Sequence, residues 1–169
     1  MTAPKPKAPE TVAACAAQEA ALVFDRLNAA DAMAIGQSIL ALSSEWFPGR
    51  PIAIHIETET HPLFVYFMDG TNAGNADWVN KKKNVARRFG HSSWMVRQQF
   101  LERGADFNKD SGLDPELFRA EGGAVPLMVK GKGRVGMLVV SGLDGWEDHA
   151  LAVGGLELWQ ARNVGSPGS

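Results

Sequence analysis

Between Asp77 and Gly104 the chain reads DWVNKKKNVARRFGHSSWMVRQQFLERG, and within it Arg87, Arg88, His91, Ser92 and Ser93 bring cations and hydroxyls into one short run. Gly90 stands where a glycine ends a helix, and Ser92 or Ser93 stands where a serine caps the next one. A helix start presents unpaired N–H groups and a partial positive charge, so the junction reads as a site for a carboxylate or phosphate. Arg88 would add a charge-assisted hydrogen bond. The same residues also have a purely structural reading. The arginines then answer the dipole of the first helix, the serines only cap, and the lysines form a solvated face.

A second cluster, Glu147, Asp148 and His149, has the residue types of an acid/base or ligand-contacting group, although acidic residues in a helix's first turn also follow from the dipole alone. The other histidines are His55, His61 and His91, and no two of the four have the i, i+4 spacing of a metal pair on one helix. No phosphate loop, nucleophile elbow or Cys-x-x-Cys-His motif occurs, so any haem would be held without covalent attachment. A net charge of -2 and a lysine run without interleaved aromatics argue against nucleic acid as a partner. The single cysteine, Cys15, excludes a disulfide within the chain, and no apolar run reaches the roughly 18 residues of a membrane span. A cytoplasmic protein with no membrane partner is the expectation.

The elements that must position these residues follow from periodicity and punctuation. Thr11 caps an Ala-rich helix to Ala21, and LVFDRL is short and apolar enough for an edge strand. Asn28 or Asp31 caps a helix carrying Ile35, Ile39, Leu42 and Trp46, stopped by Pro48-Gly49. PIAIHIET and HPLFVYFM alternate as a hairpin, with Ile52, Ile54 and Ile56 on one face and Ala53, His55 and Glu57 on the other.

The central helix is expected to start at Asn75 or Asp77 and to place Trp78, Val79, Val85, Ala86 and Phe89 on one face, with Lys82 in the same stripe. Leu113, Leu117 and Phe118 mark one short helix turn in the polar loop that follows. AVPLMVK and RVGMLVVSG are two further strands, and Asp144 with Glu147 forms a capping box for a last helix to Gln160. Gly154-Gly155 inside that helix cost about 1 kcal/mol each relative to alanine unless close packing against another helix or subunit offsets it. The sum is an α+β fold, a central antiparallel sheet of about five strands with helices packed on it. One domain spans 11–161, between disordered tails at 1–10 and 162–169. With helices on one side of the sheet, the other face is left for a second copy.

The segments LVF with DAMAIG, DGTNAGNADWVNKKKNVARRFGHSSW, EGGAVPL and GRVGMLVVSGLDGWEDHALAV resemble the haem-degrading-domain superfamily, typified by GlcG-like proteins and the C-terminal domain of PduO-type adenosyltransferases. The resemblance implies the same α+β fold and assembly into dimers that build larger rings or shells. For some relatives it also implies binding of haem or a related tetrapyrrole. It carries over Arg88, His91, Ser92, Glu147, Asp148 and His149 as motif positions without assigning catalysis to any.

Taken together, the expectation is a homo-oligomeric protein that binds haem, another tetrapyrrole or some other small anionic molecule through Arg87, Arg88, His91, Ser92, Ser93, Glu147 and His149. Trp78, Phe89 and Trp94 would supply the apolar surface. The alternatives are a structural or adaptor oligomer, and an enzyme acting on a small polar metabolite with His91 or His149 as acid/base beside Glu147.

Overall fold

The computed structural model describes residues 4–164. The N-terminal helix α1 (Val12–Ala21) is capped by Thr11 and leads into the two-residue strand β1 (Val23–Phe24). Asn28 then starts α2 (Ala29–Trp46) through a reciprocal box, its side chain accepting from Asp31 N while Asp31 accepts from Asn28 N. The hairpin follows as β2 (Ala53–Thr58) and β3 (Pro62–Phe67), and the central pair as α3 (Ala73–Phe89) and α4 (Ser93–Glu102). The chain closes with a single turn α5 (Phe107–Asp110), strands β4 (Ala124–Val129) and β5 (Gly133–Ser141), and the long α6 (Gly145–Val164).

The strand order is β1-β4-β5-β2-β3, antiparallel except for β1, which runs parallel to β4. Short turns dictate antiparallel pairing for β2–β3 and β4–β5, whereas β1 reaches β4 only through α2 and most of the chain, so no turn constrains its direction. Ile52, Ile54 and Ile56, with Val125, Leu127, Leu138 and Val140, face the core formed with α2 and α6. The opposite face, Ala53, Ala124, Met137 and Val139, is covered by Val79 and Ala86 of α3. Helices therefore lie on both faces, not one as expected, because the His55/Glu57 side of β2 is matched by α3 cations. Lys83 Nζ lies 2.8 Å from Glu57 and Arg87 Nη2 3.6 Å. Apolar surface stays open at the edge strand β3, where Val65 and Tyr66 are about half exposed and Phe67 is exposed.

Several boundaries differ from the sequence expectation. Asn72, not Asn75 or Asp77, caps α3, because Asn75 serves as the third residue of a box and returns its side chain to Asn72 N at 3.0 Å. The loop helix lies at Phe107–Asp110, drawn there by Phe107 packing edge-on against Phe100 and Phe89. Asp114–Phe118 makes only one hydrogen-bonded turn, Phe118 N to Asp114 O. The last helix, expected to end at Gln160, continues to Val164. In the N-terminal segment expected to be free, the Pro9 carbonyl accepts the Trp94 indole N–H at 2.6 Å. Residues 1–3 and 165–169 lie outside the described ones.

The two glycines inside α6 face α2. A Cβ on Gly155 would overlap Ile39, and one on Gly154 would come 2.7 Å from Trp46. Replacing Gly155 with alanine gains about 1 kcal/mol of helix propensity but overpacks a filled contact, which costs about 1–3 kcal/mol. Gly155→Ala is expected to lower the urea midpoint at unchanged slope. A raised midpoint would show that the α2–α6 contact has room to spare.

Candidate functional site

The junction forms as its sequence dictates. Gly90 takes the left-handed conformation (φ 74°) that ends α3, and Ser92 Oγ accepts from Met95 N at 3.1 Å to start α4. The anion at that helix start, however, belongs to the chain itself. Glu19 of α1 places Oε1 2.8 Å from Ser92 N and Oε2 2.9 Å from His91 Nδ1. Arg88 does not join them. Its guanidinium is exposed and lies over the Phe118 ring at 6.0 Å. Arg87 turns to Glu57, and its carbonyl accepts from Arg134 Nη1 at 3.0 Å. Ser93 Oγ accepts from Ala124 N at 3.1 Å, which fastens α4 to β4.

The C-terminal motif is likewise dispersed by the geometry. Glu147 closes the box on Asp144 N at 3.1 Å and receives Arg50 Nη1 at 2.9 Å. His149 is buried, stacked on Trp94, with Nε2 2.7 Å from Gln18 Oε1. Burial pushes it down to about 3, so it is a neutral core imidazole at physiological pH. The seven expected ligand residues thus serve several separate contacts. They do not converge on one cavity.

A cavity does occur at the end of the sheet where α3 meets the start of α6. It has a volume of about 400 Å³ and is lined by Asn75, Trp78, Lys82, Glu121, the segment Ser141–Asp144, and Gly145. Lys82, in the apolar stripe of α3, is almost fully buried. Its Nζ donates to Asp148 Oδ2 at 2.7 Å and to the Val140 carbonyl at 3.2 Å. Asp148 Oδ1 accepts from Leu143 N at 3.1 Å, and burial pushes the carboxyl up to about 6 against the pull of Lys82.

Gly122 and Gly123 make this approach of layers feasible. A Cβ on Gly122 would strike the Gly145 carbonyl, and one on Gly123 (φ 134°) would meet the Val140 carbonyl and stand 3.0 Å from Lys82 Nζ. Asp148 lay within the motif, and Lys82 was visible as a charge at an apolar helix position. Their pairing across 66 residues had no local signal.

The chain thus combines a five-stranded α+β sheet with a polar pocket at the sheet's end, at whose floor lies the buried Lys82–Asp148 pair. The chain belongs to the family of haem-degrading HbpS-like proteins, whose model matches residues 27–157. It is 40% identical over 152 residues to a UPF0303 protein of Streptomyces coelicolor, covering 90% of this chain and 94% of the relative. Among solved structures it is similar to Ybr137w, with a TM-score of 0.82, 27% identity, and coverage of 90% of this chain and 89% of that one. The fold is also shared with a structure described as a PduOC:haem complex, at TM-score 0.62, 16% identity, and 78% and 93% coverage.

Iron in haem proteins takes an axial His, Cys, Met or Tyr, and none of these lines the pocket. His91 and His149 are committed to Glu19 and Gln18, His55 faces Glu57 and Lys83 beneath α3, and His61 sits on the exposed tip of the β2–β3 hairpin. The residues of this pocket do not fit an iron-ligated haem.

Two outcomes follow from this geometry. Removing one member of the Lys82–Asp148 pair leaves a buried charge and is expected to cost about 3–5 kcal/mol, whereas Lys82→Met with Asp148→Leu costs less than either single change. Additive losses in urea denaturation would mean that the two are not coupled. For His149 the folded state refuses a proton that the unfolded chain accepts near pH 6.5. Its contribution is therefore complete above that pH and lost as the pH falls toward 3. Asp148, pushed up, has the opposite slope between about 6 and 3.8, so the informative quantity is a difference. The stability gap between wild type and His149→Gln should shift toward the variant by about 1.4 kcal/mol per pH unit below 6.5. A gap independent of pH would show an ordinary, solvated histidine.

Proposed function

We propose that this protein is a homo-oligomeric, cytoplasmic binding protein for a small polar ligand, held in the pocket above Lys82. The observation that carries the reading is the buried Lys82 ammonium. Two of its three protons are used by Asp148 and Val140, which leaves one donor for an oxygen of a bound molecule. A buried ion pair is poor evidence for stability, since well-packed apolar residues often do as well. A pair that floors a cavity at a helix start is better accounted for by binding. Asp144 and Gly145 bring the first turn of α6, with its partial positive charge, into the same wall.

Self-association is supported by β3, whose apolar PLFVYF sequence forms an open sheet edge with no charged residue to protect it. Pairing of this edge with that of a second copy would satisfy its free N–H and C=O groups. No helix among the described residues is long and apolar enough to cross a membrane.

The test is a thermal-shift screen of small polar metabolites against the wild type and Trp78→Ala, an exposed wall residue, alongside a haem titration. Ligands of this pocket should raise Tm in the wild type and lose most of the shift in the variant. Haem should give no saturable Soret change. Light scattering at micromolar concentration should return at least a dimer, and Val65→Lys should shift it toward monomer. A stoichiometric Soret change with no metabolite response would favour the tetrapyrrole reading instead.

A further inference from the structure

Lys82 is the one amine among the residues that line the pocket. Asp148 Oδ2 at 2.7 Å and the Val140 carbonyl at 3.2 Å take two of its three protons, so one position on the nitrogen is left for a ligand. The residue type is informative. An arginine would hold a carboxylate through two parallel hydrogen bonds and would never lose its proton, which suits a pair that serves only as a fastening. A lysine can give a proton up, and then carries a nucleophilic lone pair. Asp148, already in contact with Nζ, is the group placed to receive that proton. Burial raises its carboxyl to about 6, which makes it a stronger base than an ordinary carboxylate.

We propose that Lys82 captures a small aldehyde or ketone in this pocket as a Schiff base, with Asp148 moving the protons. This rests on the reading of the pocket as a ligand site and adds the chemistry performed there. Asp148 takes one proton from the ammonium, and rotation about Cε–Nζ turns the freed lone pair toward the ligand. Nζ attacks the carbonyl carbon, the C=O π pair moves to oxygen, and that oxygen gains a proton from the nitrogen to give a neutral carbinolamine. The nitrogen's remaining lone pair then forms the C=N bond as the C–O bond breaks, and the proton held by Asp148 leaves with the hydroxyl as water. The product iminium carries one positive charge and one N–H. It replaces the ammonium opposite the Asp148 carboxylate, so the buried charge balance is unchanged.

The experiment is reductive trapping on the purified full chain. Glycolaldehyde and pyruvate are each added with sodium cyanoborohydride, as is every carbonyl-bearing hit of the metabolite screen, and adducts are mapped by peptide mass spectrometry. With at least one of these, the buried Lys82 should be alkylated about tenfold or more faster than the exposed Lys130, because the pocket holds the two reactants together. Lys82→Arg keeps the buried charge and should lose that adduct while Lys130 is labelled at the wild-type rate. If this variant does not fold, the wild-type map decides alone. Labelling of exposed lysines with Lys82 left intact overturns the Schiff base. A ligand that still raises Tm in the wild type and not in Trp78→Ala then keeps the pocket standing, and the lack of any such ligand brings down both readings.

Discussion

The ion pair between Lys82 and Asp148 is the constraint around which the rest of the molecule is arranged. It joins a helix on one face of the sheet to the start of a helix that packs on the other, and a strand carbonyl completes the contact. Two buried charges cost several kcal/mol each in lost hydration, so the surroundings must supply near-ideal geometry for the pair to persist. The neighbouring sequence is consistent with that demand. Gly122 and Gly123 leave room for the backbones to close, and Leu143 N donates to the free carboxylate oxygen. Arg50 and Glu147 hold the first turn of α6 from outside. Any loosening at this point would open the sheet's end and the pocket together.

Much of the fold was legible in the sequence because it rests on local chemistry. The alternation of Ile52, Ile54 and Ile56, the αL glycine at Gly90, the cap at Ser92 and the box closed by Glu147 are each determined within a few residues. The site was harder to read for the opposite reason. His91 and Ser92 do form an anion-binding helix start, but local sequence could not disclose that Glu19, 72 residues away from His91, occupies it. His149 looked like an acid/base group beside Glu147, and only tertiary packing reveals that Trp94 and Gln18 enclose it. Lys82 was visible as an anomaly in an apolar stripe, and its meaning depended on a partner equally remote.

Family membership and local chemistry answer different questions here. The match to haem-degrading HbpS-like proteins over residues 27–157 takes in strands β2 to β5 and the segments that hold His91 and His149. What the pocket can hold is decided by the side chains that line it, and a shared fold hosts unlike ligands on different relatives. The α1 segment lies before the matched region, yet it contributes Glu19 and Gln18 to contacts with motif residues. Those contacts convert two otherwise reactive-looking positions into packing.

The central claim is that the buried Lys82 ammonium is both structural floor and ligand donor. It is tested most directly by nitrogen-15 NMR of the lysine side chains, with Lys82 assigned through Lys82→Met. The account predicts one Nζ signal in slow exchange with solvent, absent in the variant, that shifts as a bound ligand saturates while other lysine signals stay in place. A Lys82 signal that exchanges as fast as the surface lysines, or one unchanged at ligand saturation, would contradict it.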